Sequence, residues 1–140
     1  MKVNMIKLFL RLAIGIGFLS AVADRLGYWN ADVSAWGDWK SFVSSTKIMN
    51  PWFPEAIIPT LAIIVTVAEI TFGLLLIVGY KTTLTAKLSG VLLLIFAISM
   101  TLTGSVKAPL DYGVFGLAAA AFALSTFNNK FLEIESLCKK

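Results

Sequence analysis

Histidine is absent from this chain, and cysteine occurs once, as Cys138 close to the end. The first absence removes imidazole acid–base catalysis and the usual histidine-bearing zinc sites. The second removes any dithiol relay within the chain. A solvated, inert thiol is the reading for Cys138, with palmitoylation or a disulfide to another chain as alternatives. Charge is scarce as well. Only 14% of the 140 residues are Asp, Glu, Lys or Arg, where a soluble domain carries roughly a quarter. The net charge of +4 comes without a basic patch interleaved with aromatics, so nucleic acid is not an expected partner.

What is present is apolar: 58% hydrophobic residues and a mean hydropathy of +0.84. The central stretch, Ile58 to Val78, holds twenty-one residues with one carboxylate, Glu69, in its middle. At about 1.5 Å per residue that stretch is as long as a bilayer's hydrocarbon core is thick. Three further apolar runs give expected helices at about 5–26, 84–103 and 109–127, beside 58–79. The expectation is an all-α, polytopic membrane protein in a single domain, 1–140: a four-helix, up-down-up-down bundle with short turns between the later helices. Lys2, Lys7 and Arg11 followed by an apolar segment and Ala21-Val22-Ala23 imitate a signal peptide. Arg11 lies six residues into the run, however, which favours a retained helix. In the last run, Ala118 to Ala121 are four small residues that permit close backbone approach.

The connection from about 27 to 57 is polar and aromatic, and it holds all four tryptophans, Trp29, Trp36, Trp39 and Trp52. A connection of that length should contain structure of its own. Asp38 is an N-cap candidate for a short helix, DWKSFVSSTKIM, with Trp39, Phe42, Val43 and Thr46 on one face and Lys40, Ser44 and Lys47 on the other. Because indole favours the headgroup level, this segment is expected to lie along the membrane interface as a lid. Basic residues set the orientation. The two termini and the second connection hold eight Lys and Arg, against four in the first and third connections. Both termini are therefore expected in the cytoplasm, with the lid outside, in a bacterial-type inner membrane.

Ionisable residues inside such spans are candidates for function. Arg11 and Glu69 lie at depths that differ by roughly 6 Å when each helix is counted from its cytoplasmic end. An Arg11–Glu69 pair is thus expected, acting as a ligand or proton site or as a static clamp between helices. On a helical wheel Arg11, Gly15, Phe18, Val22 and Arg25 share one face. At the outer end, Asp24, Arg25, Lys107 and Asp111 form an expected polar cluster, with Asp111 in the first turn of the fourth helix, where the macrodipole favours an acid.

RLAIGIGFLSAVADRLGYW, AEITFGLLLIVGYKTTLTAKLSGVLLLIFA and KAPLDYGVFGLAAAAFAL together resemble the DoxX family of small four-helix membrane proteins. By that resemblance Arg11 and Glu69 occupy the positions of the family's intramembrane arginine and glutamate, and Asp111 that of an acid opening the last helix. The resemblance implies a membrane subunit or anchor of an oxidoreductase assembly that binds a quinone or another lipid-soluble molecule. It also implies a redox protein or a second copy of the chain as partner, beside the lipid bilayer. The alternative is a small transporter or lipid-binding module using the Arg–Glu pair. No intrinsic cofactor, metal set or catalytic residue emerges from the sequence, so redox chemistry would need a partner.

Overall fold

The computed structural model describes residues 1–137, so Cys138 and the expectation for its thiol lie outside the described residues. Every regular element among them is helical. The first apolar run forms α1 (Lys2–Arg25), and the aromatic connection contains α2 (Trp39–Met49). A 3-10 turn at Glu55–Ile57 leads into α3 (Ile58–Val78), which is followed by α4 (Thr82–Thr103), α5 (Lys107–Asp111) and α6 (Val114–Leu124). Helices α1, α3 and α4 are each long and apolar enough to cross a membrane. Their 24, 21 and 22 residues correspond to about 32–36 Å of helix. Ile63, Ile64, Val67, Leu74, Val91, Ile95 and Ile98 all face outward from α3 and α4. Such a surface suits hydrocarbon rather than water.

The fourth apolar run differs from the continuous helix expected over 109–127. It breaks at Tyr112–Gly113, where Gly113 takes a left-handed φ of 68°, and α6 spans only 11 residues. Its end at Leu124 has a local cause. The hydroxyls of Ser125 and Thr126 turn back onto the carbonyls of Phe122 and Ala123 at 2.6 and 2.7 Å, closing the last turn. Asp111 consequently ends α5 and does not open the longer helix, so the expected macrodipole role does not apply to it.

Helix α1 packs chiefly against α3 and α4 against α6, while α3 touches α4 and α1 touches α6, closing a ring. Two glycines make the first contact close. A Cβ on Gly15 would lie 2.8 Å from the carbonyl oxygen of Gly73, and one on Gly73 would lie 3.0 Å from that of Gly15. Gly90 plays the same part for α4, with the ring of Phe122 lying 2.9 Å from where its Cβ would be. Ile14, Phe18, Leu76, Ala86, Leu93, Ala118, Ala121 and Leu124 fill the interior.

The N-terminus of α1, the α3–α4 turn and the segment after α6 share one end of the bundle, here the tail end. Helix α2 covers the opposite, lid end, resting on α1, α3 and α4. It starts as its sequence requires: Asp38 Oδ1 accepts the Ser41 N–H at 2.7 Å, the standard N-cap bond. Phe42 and Thr46 are buried, and Lys40, Ser44 and Lys47 are exposed.

Candidate functional site: an arginine–glutamate pair beneath an aromatic lid

The last residue of α1, Arg25, is 2% exposed, and its guanidinium is bonded or covered on several sides. Nε donates to Ala21 O at 3.2 Å, and Nη1 donates to Thr66 Oγ1 at 2.9 Å. Nη1 also lies 2.5 Å from Oε2 of Glu69, which is itself only 3% exposed. That oxygen accepts no well-directed hydrogen bond, so the contact is mainly coulombic. From above, the Phe42 ring lies 3.8 Å from the guanidinium carbon and the Trp36 ring 5.3 Å. A desolvated cation over aromatic faces gains about 0.5–2 kcal/mol. The ion pair is thus neutral as a unit, sealed by α2, and shared between α1, α3 and the lid.

Asp24 does not pair with its neighbour Arg25. Its carboxylate gathers the loop before α2, accepting the N–H groups of Ala35 at 2.8 Å, Gly37 at 3.1 Å and Trp36 at 3.4 Å, together with the hydroxyl of Ser34. Asp24 thereby sets the Trp36 ring over Arg25. Trp36 meets Phe42 edge-on with centroids 5.2 Å apart, and Trp39 tilts against Phe42 at 5.6 Å. Trp29 donates its indole N–H to Ser20 O at 3.1 Å, whereas Trp52 stands half-exposed in the turn after α2. An open groove of about 410 Å³ runs between α1 and this loop, past Ser20, Asp24, Trp29 and Trp36. Lys107 and Asp111 pair with each other across one turn of α5, exposed to solvent. The expected outer cluster is therefore three separate arrangements.

The expected Arg11–Glu69 pair does not form. Arg11 is fully buried at the tail end, where it donates to Leu76 O and Ile77 O at 2.9 Å each. It also donates to Phe131 O at 2.9 Å and Leu132 O at 3.0 Å. Side-chain direction explains the exchange of partners. Helical side chains lean toward their own helix N-terminus, and α1 and α3 run antiparallel. Arg25 therefore leans down toward the bundle's middle and Glu69 leans up toward the lid, so the two converge. Arg11 leans toward the tail end, away from Glu69. Its cationic group meets the last carbonyls of α3 instead, where the helix dipole favours positive charge.

Sequence reasoning missed a second buried constellation. Lys7, 2% exposed, lies 2.6 Å from Glu133, and Arg11 lies 3.9 Å from the same carboxylate. Lys7 also bonds the Asn129 carbonyl, and Asn129 bonds Asn4, which fastens the segment after α6 beneath α1. A signal was available. Lys7 and Arg11 are four residues apart on a buried face, and the only acids beyond α6 are Glu133 and Glu135.

The model of a family described as methylamine utilisation protein MauE matches residues 3–111, from the start of α1 to the end of α5. No curated protein and no solved structure matches. The match corrects the DoxX resemblance. Apolar runs punctuated by a few glycines and charges are shared by many small helical membrane proteins, so they select a class and not one family.

Proposed function

The chain belongs to the MauE family of membrane proteins, and on that premise we propose that it is a membrane-embedded accessory protein in an oxidative pathway of the methylamine-utilisation type. The reading rests on the extent of the family match, which takes in α1, the lid, α3 and α4, and so Arg25, Glu69 and Phe42 together. In it the Arg25–Glu69 pair is a clamp that holds the lid on the bundle, and the lid presents its aromatic face to a redox protein partner. Tyr28, Trp29, Trp52 and Phe53 supply that face, each at least two-fifths exposed. The chain lacks a histidine and a second thiol, so electrons would pass through the partner and not through this protein.

The finer topology belongs to the same proposal. Four passes, with α5 and α6 together making the last, place the tail end in the cytoplasm and the lid outside a bacterial-type inner membrane. The basic asymmetry of the connections supports that orientation. In this reading a quinone or similar lipid-soluble molecule would lie in the open groove beside Trp29 and Trp36, whose 410 Å³ is within the usual range for small-molecule sites. The transporter alternative is disfavoured by the enclosure of Arg25, which is bonded to both helices and roofed by Phe42.

The test uses cells that grow on methylamine. Deleting the protein should abolish that growth, and wild-type chain should restore it. Glu69→Gln, which strands Arg25, should restore it poorly. Affinity purification of the restored chain should bring down an oxidoreductase subunit. Undiminished growth of the deletion strain on methylamine would end this reading.

A further inference from the structure

At the tail end a cleft of about 330 Å³ opens over the first turn of α4, bordered by Lys81, Thr82, Thr83 and Leu84 and by the segment after α6. The N–H groups of Thr82, Thr83 and Leu84 meet no acceptor among the described residues, because the first bond of this helix is Thr85 N–H to Lys81 O at 3.0 Å. No side chain among the described residues caps it. Thr82 adds an independent anomaly: it is 2% exposed, it borders the cleft, and its hydroxyl has no hydrogen-bond partner among the described residues. A buried hydroxyl left unpaired is costly unless something absent here accepts or donates to it.

The charge around the cleft favours an anion. Two of the lysines facing it are occupied: Lys7 lies 2.6 Å from Glu133, and Lys130 lies 3.0 Å from Glu135. Arg11 stands behind Glu133 at 3.9 Å and overbalances that carboxylate. Lys81 is exposed and pairs with no carboxylate among the described residues; its ammonium lies 5.7 Å from the Tyr80 ring. Lys81 adopts a left-handed φ of 45°, which closes the turn into α4, and it borders the cleft.

We propose that this cleft binds a phosphate group, carried by an anionic lipid headgroup or by a free phosphate ion, and held by Lys81, the Thr82 hydroxyl and the first-turn amides of α4. A helix N-terminus supplies both directed N–H groups and a positive dipole end to such a group. For a lipid, half-exposed Leu84 and Leu88 continue from the cleft along α4 as a path for an acyl chain.

Native mass spectrometry of the full chain in a neutral detergent tests this, using dioleoyl phosphatidic acid, dioleoylglycerol and inorganic phosphate as probes. Phosphatidic acid should bind and dioleoylglycerol, with the same chains and no phosphate, should not. Inorganic phosphate that displaces the lipid would identify the phosphate group as the determinant. Lipid binding that persists against phosphate would identify the headgroup with its chain. Either result supports the site. Lys81→Asn keeps the left-handed backbone and Thr82→Val keeps the shape, so each should fold and each should weaken phosphatidic acid binding about tenfold. Without ligand, Thr82→Val should melt no lower than wild type, because it removes an unpaired hydroxyl. Equal binding of phosphatidic acid and dioleoylglycerol, or undiminished binding in both variants, would overturn the proposal.

Discussion

Gly15 and Gly73 face each other so closely that each occupies the space the other's side chain would need, at 2.8 and 3.0 Å from the opposing carbonyl oxygen. This contact sets the register of α1 on α3. With Gly15 opposite Gly73, Arg11 stands level with Ile77, and Arg25 lies within a side chain's reach of Glu69.

Gly15→Ala should therefore destabilise the protein, although alanine is the better helix former. The obstruction is backbone, which cannot turn aside, and overpacking of this kind costs about 1–3 kcal/mol. Gly17→Ala, two residues on and on the opposite, exposed face of α1 with nothing within 4 Å of its Cβ position, should be neutral or stabilising. Thermal melting in detergent reads both variants, and equal behaviour of the two would separate the register from this contact.

A double-mutant cycle on Arg25 and Glu69 should show strong coupling. Breaking a buried pair from one side costs about 3–5 kcal/mol, so Glu69→Leu and Arg25→Leu should each lower the melting temperature markedly. The double change should recover part of the loss, because no charge is left stranded. The same cycle on Arg11 and Glu69 should be additive, since these two do not meet. Coupling in the second cycle but not in the first would refute the assigned partners.

Single cysteines at Ser44 and Thr83, in a Cys138→Ser background, should label with an impermeant reagent from opposite faces of the membrane. Both positions are exposed, unlike neighbouring Thr82. Labelling from the same face would exclude the proposed four-pass arrangement.

The lid should loosen in acid. The Ser41 amide and hydroxyl hold the Asp38 carboxyl below the ordinary aspartate range. A depressed folded pKa contributes stability above the unfolded value of about 3.9, and that contribution is lost as pH falls through the folded value. Amide exchange in α2 should accordingly quicken below about pH 4. Asp38→Ser, which caps without titrating, should flatten that response at this helix. An unchanged acid response in Asp38→Ser would assign it to other carboxylates.

The helices were legible because hydropathy acts locally: α3 and α4 are contiguous apolar runs, the first entered through Pro51 and Pro54 and each ended by a glycine, Gly79 and Gly104, and α2 carries both its cap and its amphipathic face. The buried face of α1 was legible too, since Arg11, Gly15, Phe18, Val22 and Arg25 repeat at helical spacing and all are buried. The pairing across helices was not. Counting depth from helix ends assumes that the ends are flush, whereas the Gly15–Gly73 contact sets the offset, and side-chain lean decides which arginine reaches Glu69. The break at Gly113 is marked in sequence only by a glycine inside an apolar run, a signal that Gly116, within α6, also carries without breaking anything.

The fastening of Lys7 and Arg11 bears on how the protein is made. Arg11 meets the carbonyls of Leu76 and Ile77 within α3, but the other groups that satisfy the two cations, Asn129, Phe131, Leu132 and Glu133, lie about 120 residues later in the chain. While the nascent chain is synthesised, the front of α1 enters the membrane with two cations and no matching carboxylate. Only when the segment beyond α6 leaves the ribosome does that carboxylate arrive. The front of α1 therefore reaches its full charge balance only after α6 has been made, so its insertion precedes the pairing that neutralises it.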